Sequence, residues 1–295
     1  MYEETSFVST VDGRKICVLQ AGMANGIAIM VHAGTPGSRL LFEGWSEYAV
    51  GRGVRLIAYD RPGYGGSTPA AGRTVSAAAD DVAAIVRYLG IERIGVWGLS
   101  GGGPHALACA ALLPSIVVAA ATFGSLAPRH TDDIDWFAGM GTAIAAEFSA
   151  AIDGRVELEQ VIQAAAREML STDPDSLAST WRDRLCPTDI AELTRDTASY
   201  LLESARVGLS NGVDGWIDDD MAFVSPWGFD ISQIGVPVMI VHGQQDKSVP
   251  ISHARWLIER IHNAQARLSA QDGHISAFAH SFAQVHDWLI EKMTT

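Results

Sequence analysis

The sequence has little cysteine, and its cysteines do not cluster. Cys17, Cys109 and Cys186 are far apart and odd in number. A disulfide framework or a zinc site normally needs cysteines at close spacing. We therefore expect reduced, mostly buried thiols in a reducing compartment, and neither a disulfide framework nor a zinc site of clustered cysteines.

Long hydrophobic runs and an excess of positive charge are also missing. No uncharged apolar stretch reaches the length of a membrane span, and the N-terminal MYEETSFVST lacks the apolar region of a signal peptide. The 21 basic residues are outnumbered by 34 acidic ones, which gives a net charge of −13. Such a protein attracts neither phosphate backbones nor anionic lipids. We expect a cytoplasmic protein that binds no nucleic acid and no membrane; its oligomeric state stays open.

Short apolar runs are what the sequence does have. It contains 295 residues, of which 48% are hydrophobic. The runs lack the alternation of half-exposed strands and therefore predict strands buried on both faces, as in a parallel sheet. They are IAIMVH (27–32), VRLIAY (54–59), RIGVW (93–97), VVAAATF (117–123), VPVMIVH (236–242) and, more weakly, ARLSAQ (266–271). A hairpin is expected around Asp12-Gly13.

Helical patterns alternate with these runs. Apolar residues recur at i, i+3, i+4 and i+7 after Ser76, Ser252 and Ser276, each of which is a candidate N-cap. Strand–helix alternation predicts an α/β fold with a mostly parallel, doubly wound sheet. Residues 129–212 show helical patterns and no strand. We expect them to form a helical cap inserted into a core of residues 1–128 and 213–295.

A glycine-rich turn carries the strongest chemical signal. In VWGLSGGGPHALACAALLP, Ser100 stands in a G-x-S-x-G pattern between a predicted strand and a predicted helix. That context is the one a nucleophile elbow requires, because the sharp turn tolerates only glycine around the serine. The alternative is a glycine-rich turn without a nucleophile, which could bind phosphate.

A serine hydroxyl needs a base, and the base needs an orienting acid. Asp246 follows the run 236–242, and His274 follows the next predicted strand, 28 residues later. This order, serine then acid then histidine, is the one expected around such an elbow. Asp272 is interpreted as a turn residue. The other histidines of the two C-terminal helices are interpreted as surface or packing residues: His253, His262, His280 and His286.

An oxyanion formed on the substrate would need backbone N–H donors. The loop in VHAGTPGSR follows the first long parallel strand, so we assign the donors to Thr35 and Gly101. The alternative for this loop is a plain turn. Cys109 is expected in the core and YDRPGYGGS (59–67) as a structural loop. Asp218-Asp219-Asp220 is interpreted as a solvated turn or helix start, not as a metal site.

Together, GLSGG, HAGTPGSR, YDRPGYGGS, HGQQDKSVP and DGH resemble the α/β-hydrolase superfamily over nearly the whole chain. Ala33, before Gly34, departs from the His-Gly-x-Pro of many members. The resemblance implies a serine hydrolase acting on an ester or related acyl bond through an acyl-enzyme, without a cofactor. It says almost nothing about the substrate.

The insert suggests a largely apolar, partly closed pocket for a small or medium substrate. Its candidate lining residues are Trp136, Phe137, Met140, Phe148, Trp181 and Leu201. A relative that processes halides or epoxides would carry aspartate in place of Ser100. Two other readings stay open. One is an aminopeptidase-like hydrolase using Asp132, Asp133 or Glu147 to hold an amine; the other is a ligand-binding receptor that retained the triad.

Overall fold

A single eight-stranded sheet organises the protein. The computed structural model describes residues 2–131 and 133–295. The strands are β1 (Tyr2–Ser9), β2 (Lys15–Gly22), β3 (Ile27–His32), β4 (Val54–Tyr59), β5 (Ile94–Leu99), β6 (Val117–Phe123), β7 (Val238–Gly243) and β8 (Ala264–Ser269). They lie in the order β1-β2-β4-β3-β5-β6-β7-β8. The pairs β1/β2 and β2/β4 are antiparallel and all others are parallel. This confirms the predicted α/β fold.

The apolar runs account for the central strands. Their side chains face helices on both sides of the sheet, which is why the runs show no alternation. The predicted hairpin corresponds to β1 and β2, whose strands join through Asp12 and Gly13. The weaker run 266–271 is β8, which begins at Ala264; this edge strand is mostly exposed.

Among the described residues, eleven α-helices surround the sheet. They are α1 (Glu43–Gly51), α2 (Ala77–Tyr88), α3 (Gly102–Leu112), α4 (Thr142–Asp153), α5 (Arg155–Ser171), α6 (Leu177–Thr180), α7 (Pro187–Glu192), α8 (Arg195–Gly208), α9 (Asp214–Val224), α10 (Ile251–Arg260) and α11 (His274–Thr294). Helices α1 and α11 cover one face of the sheet, and α2, α3 and α10 cover the other. Within the described residues, no helix has both the length and the apolar character needed to cross a bilayer.

The N-cap predictions were wrong for two of the three helices. Helix α10 begins at Ile251 and α11 at His274, so Ser252 and Ser276 lie inside the first turns. The Ser276 hydroxyl instead accepts a hydrogen bond from the Gly273 N–H and donates one to Asp189 on α7. Ser76 does precede α2, but its side chain makes no capping bond.

The segment between β6 and β7 is helical, and its second half is bonded to the sheet domain. No strand occurs there among residues 124–131 and 133–237. The Tyr200 hydroxyl on α8 donates to the Leu40 carbonyl at 3.1 Å, and the Gly65 N–H donates to the Gly208 carbonyl at 2.8 Å. The cap boundaries at 129 and 212 stay a prediction.

Candidate active site

Ser100 stands at a sharp turn between β5 and α3. Its φ is +53°, a left-handed conformation that is unusual for a residue other than glycine. Its N–H donates to the Phe123 carbonyl at 2.7 Å, which ties the turn to the neighbouring strand β6. A Cβ on Gly98 would lie 2.7 Å from the Gly103 nitrogen. The turn is therefore so tight that position 98 admits only glycine.

The Asp246 and His274 side chains are hydrogen-bonded to each other. Asp246 follows β7 and His274 opens α11, and His274 Nδ1 lies 2.6 Å from Asp246 Oδ2. The other oxygen of Asp246 accepts the N–H groups of Ser248 and Val249, each at 2.8 Å. A carboxylate only accepts, so Nδ1 carries the proton and Nε2 is left as the basic nitrogen.

The charge of Asp246 sets the basicity of His274. Burial alone would lower the pKa of His274, but the neighbouring Asp246 carboxylate outweighs burial and raises that pKa above its usual 6.5. Asp272 makes no such contact, because its carboxylate lies 2.9 Å from His280 Nδ1 on the next turns of α11.

Gly124 supports this pair from the end of β6. Its φ is +58°, and a Cβ there would lie 2.8 Å from His274 Cε1 and 3.2 Å from Asp246 Oδ2. The absence of a side chain at position 124 therefore leaves the space that the imidazole occupies. The sequence analysis did not single out this glycine.

Thr35 and Gly101 lie side by side at the end of the sheet. Both line the same cavity as Ser100. Neither backbone N–H donates a hydrogen bond to any residue among 2–131 and 133–295, so both are free to bind an oxyanion. The Thr35 hydroxyl is fixed instead: it donates to Asp219 at 2.9 Å and accepts from Arg61 at 3.0 Å.

Asp219 anchors the loop that carries Thr35. Its carboxylate accepts hydrogen bonds from the Tyr64 hydroxyl at 2.9 Å and from Arg61 at 2.6 Å, and pairs with Arg73 at 2.7 Å. Arg61 also donates to the carbonyls of Ala33 and Gly34, which fixes the backbone next to Thr35. Burial alone would raise the pKa of Asp219, but Arg61 and Arg73 hold it well below its usual range.

The reading of Asp218-Asp219-Asp220 as a solvated turn or helix start was wrong. The three side chains lie inside α9 and are no more than 2% exposed. Asp218 pairs with Arg155 at 2.6 Å and Asp219 with the two arginines above, so long-range cations stabilise two of the buried charges. Within the described residues, no group of three or more His, Cys, Asp or Glu side chains is arranged to hold a metal ion.

A small cavity is lined in part by Ser100. Its volume is about 40 Å³. It is lined by Thr35, Ser100, Gly101, Leu126, Ile144, Glu147, Phe148, Asp220, Phe223, Ser248 and Val249. The expectation of a largely apolar lining therefore holds only in part, because two carboxyl groups face the cavity.

Most of the predicted cap residues lie away from this cavity. Phe148 lines it, whereas Trp136 donates its indole N–H to the Ala127 carbonyl at 2.9 Å and packs behind Phe148. The remaining four do not line it: Phe137, Met140, Trp181 and Leu201. Asp133 pairs with Arg260 at the surface, and Asp132 lies outside the described residues.

The sequence profile described as the alpha/beta hydrolase fold matches residues 27–281. The chain belongs to the α/β-hydrolase family. Among curated relatives of this α/β hydrolase, a bifunctional esterase/perhydrolase from Acinetobacter calcoaceticus is 34% identical over 123 residues, or 41% of this chain and 45% of that protein. The chain thus spans less than half of that relative. A 2-hydroxy-6-oxononadienedioate/2-hydroxy-6-oxononatrienedioate hydrolase from Cupriavidus pinatubonensis is 24% identical, covering 94% of this chain and 91% of that protein.

Solved structures resemble this α/β hydrolase over its whole length. A thermophilic esterase from Thermogutta terrifontis superposes with a TM-score of 0.72 at 19% identity, covering 99% of this chain and 100% of that one. An enol-lactonase from Burkholderia xenovorans gives 0.69 at 18% identity, covering 98% and 100%. These likenesses concern the fold. The family and its esterase relatives support a hydrolase with a small-molecule substrate.

Asp189 is a site residue that sequence reasoning missed. From α7 of the insert, its carboxylate accepts the N–H groups of His274 at 3.1 Å, Ile275 at 3.0 Å and Ser276 at 2.9 Å. It therefore caps the helix that begins with His274. Asp189 and His274 are 85 residues apart, and no local pattern in the sequence of this α/β hydrolase links them.

The other histidines of the two C-terminal helices, which are alternatives to His274 as the base, contact different groups. His253 is buried and accepts the Ala127 N–H at 3.0 Å, and His286 is buried among aromatic rings of the core. His262 is exposed, and His280 bridges Asp272 and Glu192. Cys109 is fully buried, as predicted; burial raises the pKa of its thiol and makes it unreactive.

Proposed function

We propose that this α/β hydrolase cleaves an ester or related acyl bond of a small substrate through an acyl-enzyme on Ser100. The observation that carries the proposal is the 2.6 Å hydrogen bond between His274 and Asp246, at the sheet edge where Ser100 lines a cavity. A half-buried histidine oriented by a carboxylate, together with an elbow serine, supplies the nucleophile, base and orienting acid of a serine hydrolase.

The first half of the reaction forms the acyl-enzyme. His274 Nε2 removes the Ser100 hydroxyl proton while Oγ attacks the substrate carbonyl carbon. The carbonyl electron pair moves onto oxygen, and the N–H groups of Thr35 and Gly101 bind this oxyanion. Collapse of the tetrahedral intermediate breaks the bond to the alcohol, which leaves with the proton held by His274.

The second half releases the acid. His274 deprotonates a water molecule, which attacks the acyl carbon, and Ser100 regains its proton as the carboxylic acid departs. Throughout, Asp246 remains ionised and stabilises the imidazolium. The cavity of about 40 Å³ has room for only a few water molecules. Helix α4 contributes Ile144, Glu147 and Phe148 to the wall of this cavity.

The alternative of a phosphate-binding turn is disfavoured by charge. Glu147 and Asp220 line the same cavity as Ser100, and carboxylates repel phosphate. The receptor reading differs from the hydrolase reading in one measurable respect, which is whether Ser100 reacts.

A fluorophosphonate probe tests the nucleophile directly. We expect mass spectrometry to find the adduct on Ser100, and Ser100→Ala to lower kcat by roughly 10⁴- to 10⁶-fold while the fold is kept. Ser248→Ala is the matched control, because Ser248 lines the same cavity. Its protein should still be labelled at Ser100. An adduct on another residue, or none on the folded protein, contradicts the proposal.

A further inference from the structure

A second buried carboxylate lies next to the base and takes no part in the mechanism above. Asp189, on α7 of the segment between β6 and β7, is fully buried. None of the ion pairs in the described part of the chain includes it. Buried aspartates are normally paired with a cation, so the charge of Asp189 must be stabilised in another way.

Five hydrogen-bond donors surround the two oxygens of Asp189. Oδ1 accepts the Ile275 N–H at 3.0 Å, the Ser276 N–H at 2.9 Å and the Ser276 hydroxyl at 2.7 Å. Oδ2 accepts the His274 N–H at 3.1 Å and the Cys186 N–H at 3.2 Å. Burial alone would raise the pKa of Asp189, but these bonds hold it below its usual range. Asp189 is therefore ionised at neutral pH.

The turn before α11 leaves room for this carboxylate. Gly273 precedes His274, and a Cβ there would lie 2.7 Å from Asp189 Cγ and 2.8 Å from Cys186 Sγ. The absence of a side chain at position 273 lets Asp189 reach the His274 N–H. That bond fixes the backbone from which the imidazole projects, so the position of the base depends on α7.

Asp189 is one of two carboxylates whose charge acts on the imidazole. Burial and the Arg184 guanidinium lower the pKa of His274, whereas Asp246 and Asp189 raise it. Asp246 contacts His274 Nδ1 directly at 2.6 Å. Asp189 bonds to the backbone of the same residue and acts on the ring through space.

The other titratable groups near this end of α11 are neutral or paired with one another. Burial lowers the pKa of His242, which is fully buried, so this ring is uncharged at neutral pH. Asp272 and Glu192 are both bonded to His280, at 2.9 and 3.1 Å. These groups therefore do not replace the charge of Asp189 beside His274.

Helix capping alone would not require a charged residue. Serine, threonine and asparagine cap helix N-termini about as well as aspartate, and a neutral side chain avoids the cost of burying a charge. The reaction, however, makes His274 cationic when it takes the Ser100 proton, and a fixed negative charge stabilises that imidazolium. Asp189 does not line the cavity of Ser100, so its effect on the chemistry acts through His274.

We propose that Asp189 is a positioning residue for His274, and that its negative charge, together with that of Asp246, stabilises the imidazolium formed in the reaction. The inference rests on the proposed function of Ser100. It assigns the helical segment between β6 and β7 a part in catalysis that does not involve contact with the substrate.

Titration of His274 by NMR tests the charge without any catalysis. In protein labelled with ¹³C at histidine Cε1, the His274 signal is the one that disappears in His274→Gln. We expect its pKa to fall by about 0.5 pH unit or more in Asp189→Asn, because the imidazolium loses a nearby negative charge.

Ser276→Ala is the matched control. It removes a hydroxyl that donates to Asp189 and accepts the Gly273 N–H, so it loosens the same cap but keeps the charge. The pKa of His274 should then stay within about 0.2 pH unit of the wild-type value. A purely structural role predicts the same behaviour of the two variants.

Steady-state kinetics on p-nitrophenyl acetate provide a second readout. We expect Asp189→Asn to lower kcat by about tenfold, to leave KM within about twofold and to move the acid limb of kcat/KM to lower pH. In Ser276→Ala the acid limb should keep its wild-type position. Circular dichroism checks that each variant folds, and Asp189→Ser replaces Asp189→Asn as the neutral variant if the latter does not.

The outcomes separate this inference from the proposed function. An unchanged pKa of His274 in the folded neutral variant, or an equal fall in Ser276→Ala, overturns the role of the Asp189 charge and leaves the Ser100 mechanism standing. If the wild-type protein neither hydrolyses esters nor reacts with the fluorophosphonate, the mechanism is rejected. A fall in the His274 pKa confined to the neutral variant would still support the action of Asp189 on the imidazole.

Discussion

A direct hydrogen bond to the Asp246 carboxylate distinguishes His274 from the buried His253 and His242. Burial lowers the pKa of His253 to about 4, whereas the pKa of His274 is raised. Asp246→Asn removes this charge and nearly preserves shape, so we expect kcat on one ester to fall by roughly 10³- to 10⁴-fold. Asp272→Asn is the comparison, and kcat should fall by no more than about tenfold. The assignment of Asp246 as the orienting acid is wrong if the larger fall in kcat occurs in the Asp272 variant.

The pH profile provides a second readout of the same variant. His274 acts as a base only when neutral, so wild-type activity should fall as the pH drops through a value above 6.5. Loss of the carboxylate lowers the pKa of His274, and the residual activity of Asp246→Asn should persist to lower pH. A profile that does not move would indicate that another group controls the acid limb.

At position 124, the space beside His274 requires a residue without a side chain, and this can be tested with a matched control variant. In Gly124→Ala the new methyl group would contact His274 Cε1 and disturb its hydrogen bond to Asp246. We expect kcat to fall at least tenfold. Gly90→Ala introduces alanine at a similar φ of +65°, with no atom within 4 Å, and should lose about 1 kcal/mol of stability without this loss of kcat. Equal kcat in both variants would contradict a positioning role.

The residues most visible from sequence were those with local signals. Ser100 lies in a motif with a strand before it and a helix after it, and Asp246 and His274 follow identifiable strands. Asp219, Asp189 and Gly124 give no such signal, because their partners come from distant segments. From the sequence alone, a run of three aspartates predicts a solvated segment, because no local pattern shows that Arg61, Arg73 and Arg155 pair with it.

At the scale of elements, helix α7 is tied to α11 by one carboxylate. Burial alone would raise the pKa of Asp189, but hydrogen bonds from the Ser276 N–H and hydroxyl hold it below its usual range. A group whose pKa is lowered in the folded state stabilises the fold above its unfolded pKa of about 3.9. That stabilisation is lost as the pH falls through the folded value.

We therefore expect Asp189→Asn to lower the free energy of unfolding by about 1–2 kcal/mol at neutral pH. The difference from wild type should stay constant down to about pH 5 and shrink below about pH 4, as measured by urea unfolding over this range. Asp196→Asn, at an exposed position in the first turn of α8, is the control and should have little effect. A difference that stays the same in acid would show that the charge of Asp189 is not what stabilises α11.

Strands were easier to predict than helix ends. A strand covered on both faces must be continuously apolar, and this is visible in the sequence alone. The start of α11 depends instead on Asp189, which is remote in sequence and replaces the serine cap that the local pattern suggested. Tertiary partners of this kind override local capping preferences.

At the scale of the whole molecule, the alternation of strands and helices predicted the sheet. It did not predict how the helical segment between β6 and β7 is attached to the sheet. Helix α8 bonds to the loops after β3 and β4 and α7 caps α11, while α4 lines part of the cavity. These contacts join segments up to 166 residues apart, so they follow from the fold and not from any local pattern.

Two consecutive residues of helix α9 have different roles. Asp219 holds the loop of Thr35, and Asp220 lines the cavity; a helix turns about 100° per residue, so the two side chains leave it in different directions. A mutation that shifts α9 therefore also disturbs the loop of Thr35. Ile144 and Phe148 on α4 line the cavity as well, and the hydrogen bond from α9 to α4 goes to Glu147, so substitutions at Ile144 and Phe148 change the cavity without breaking a hydrogen bond to that loop. Among related enzymes that act on different substrates, the residues that line the cavity should therefore differ more on α4 than on α9.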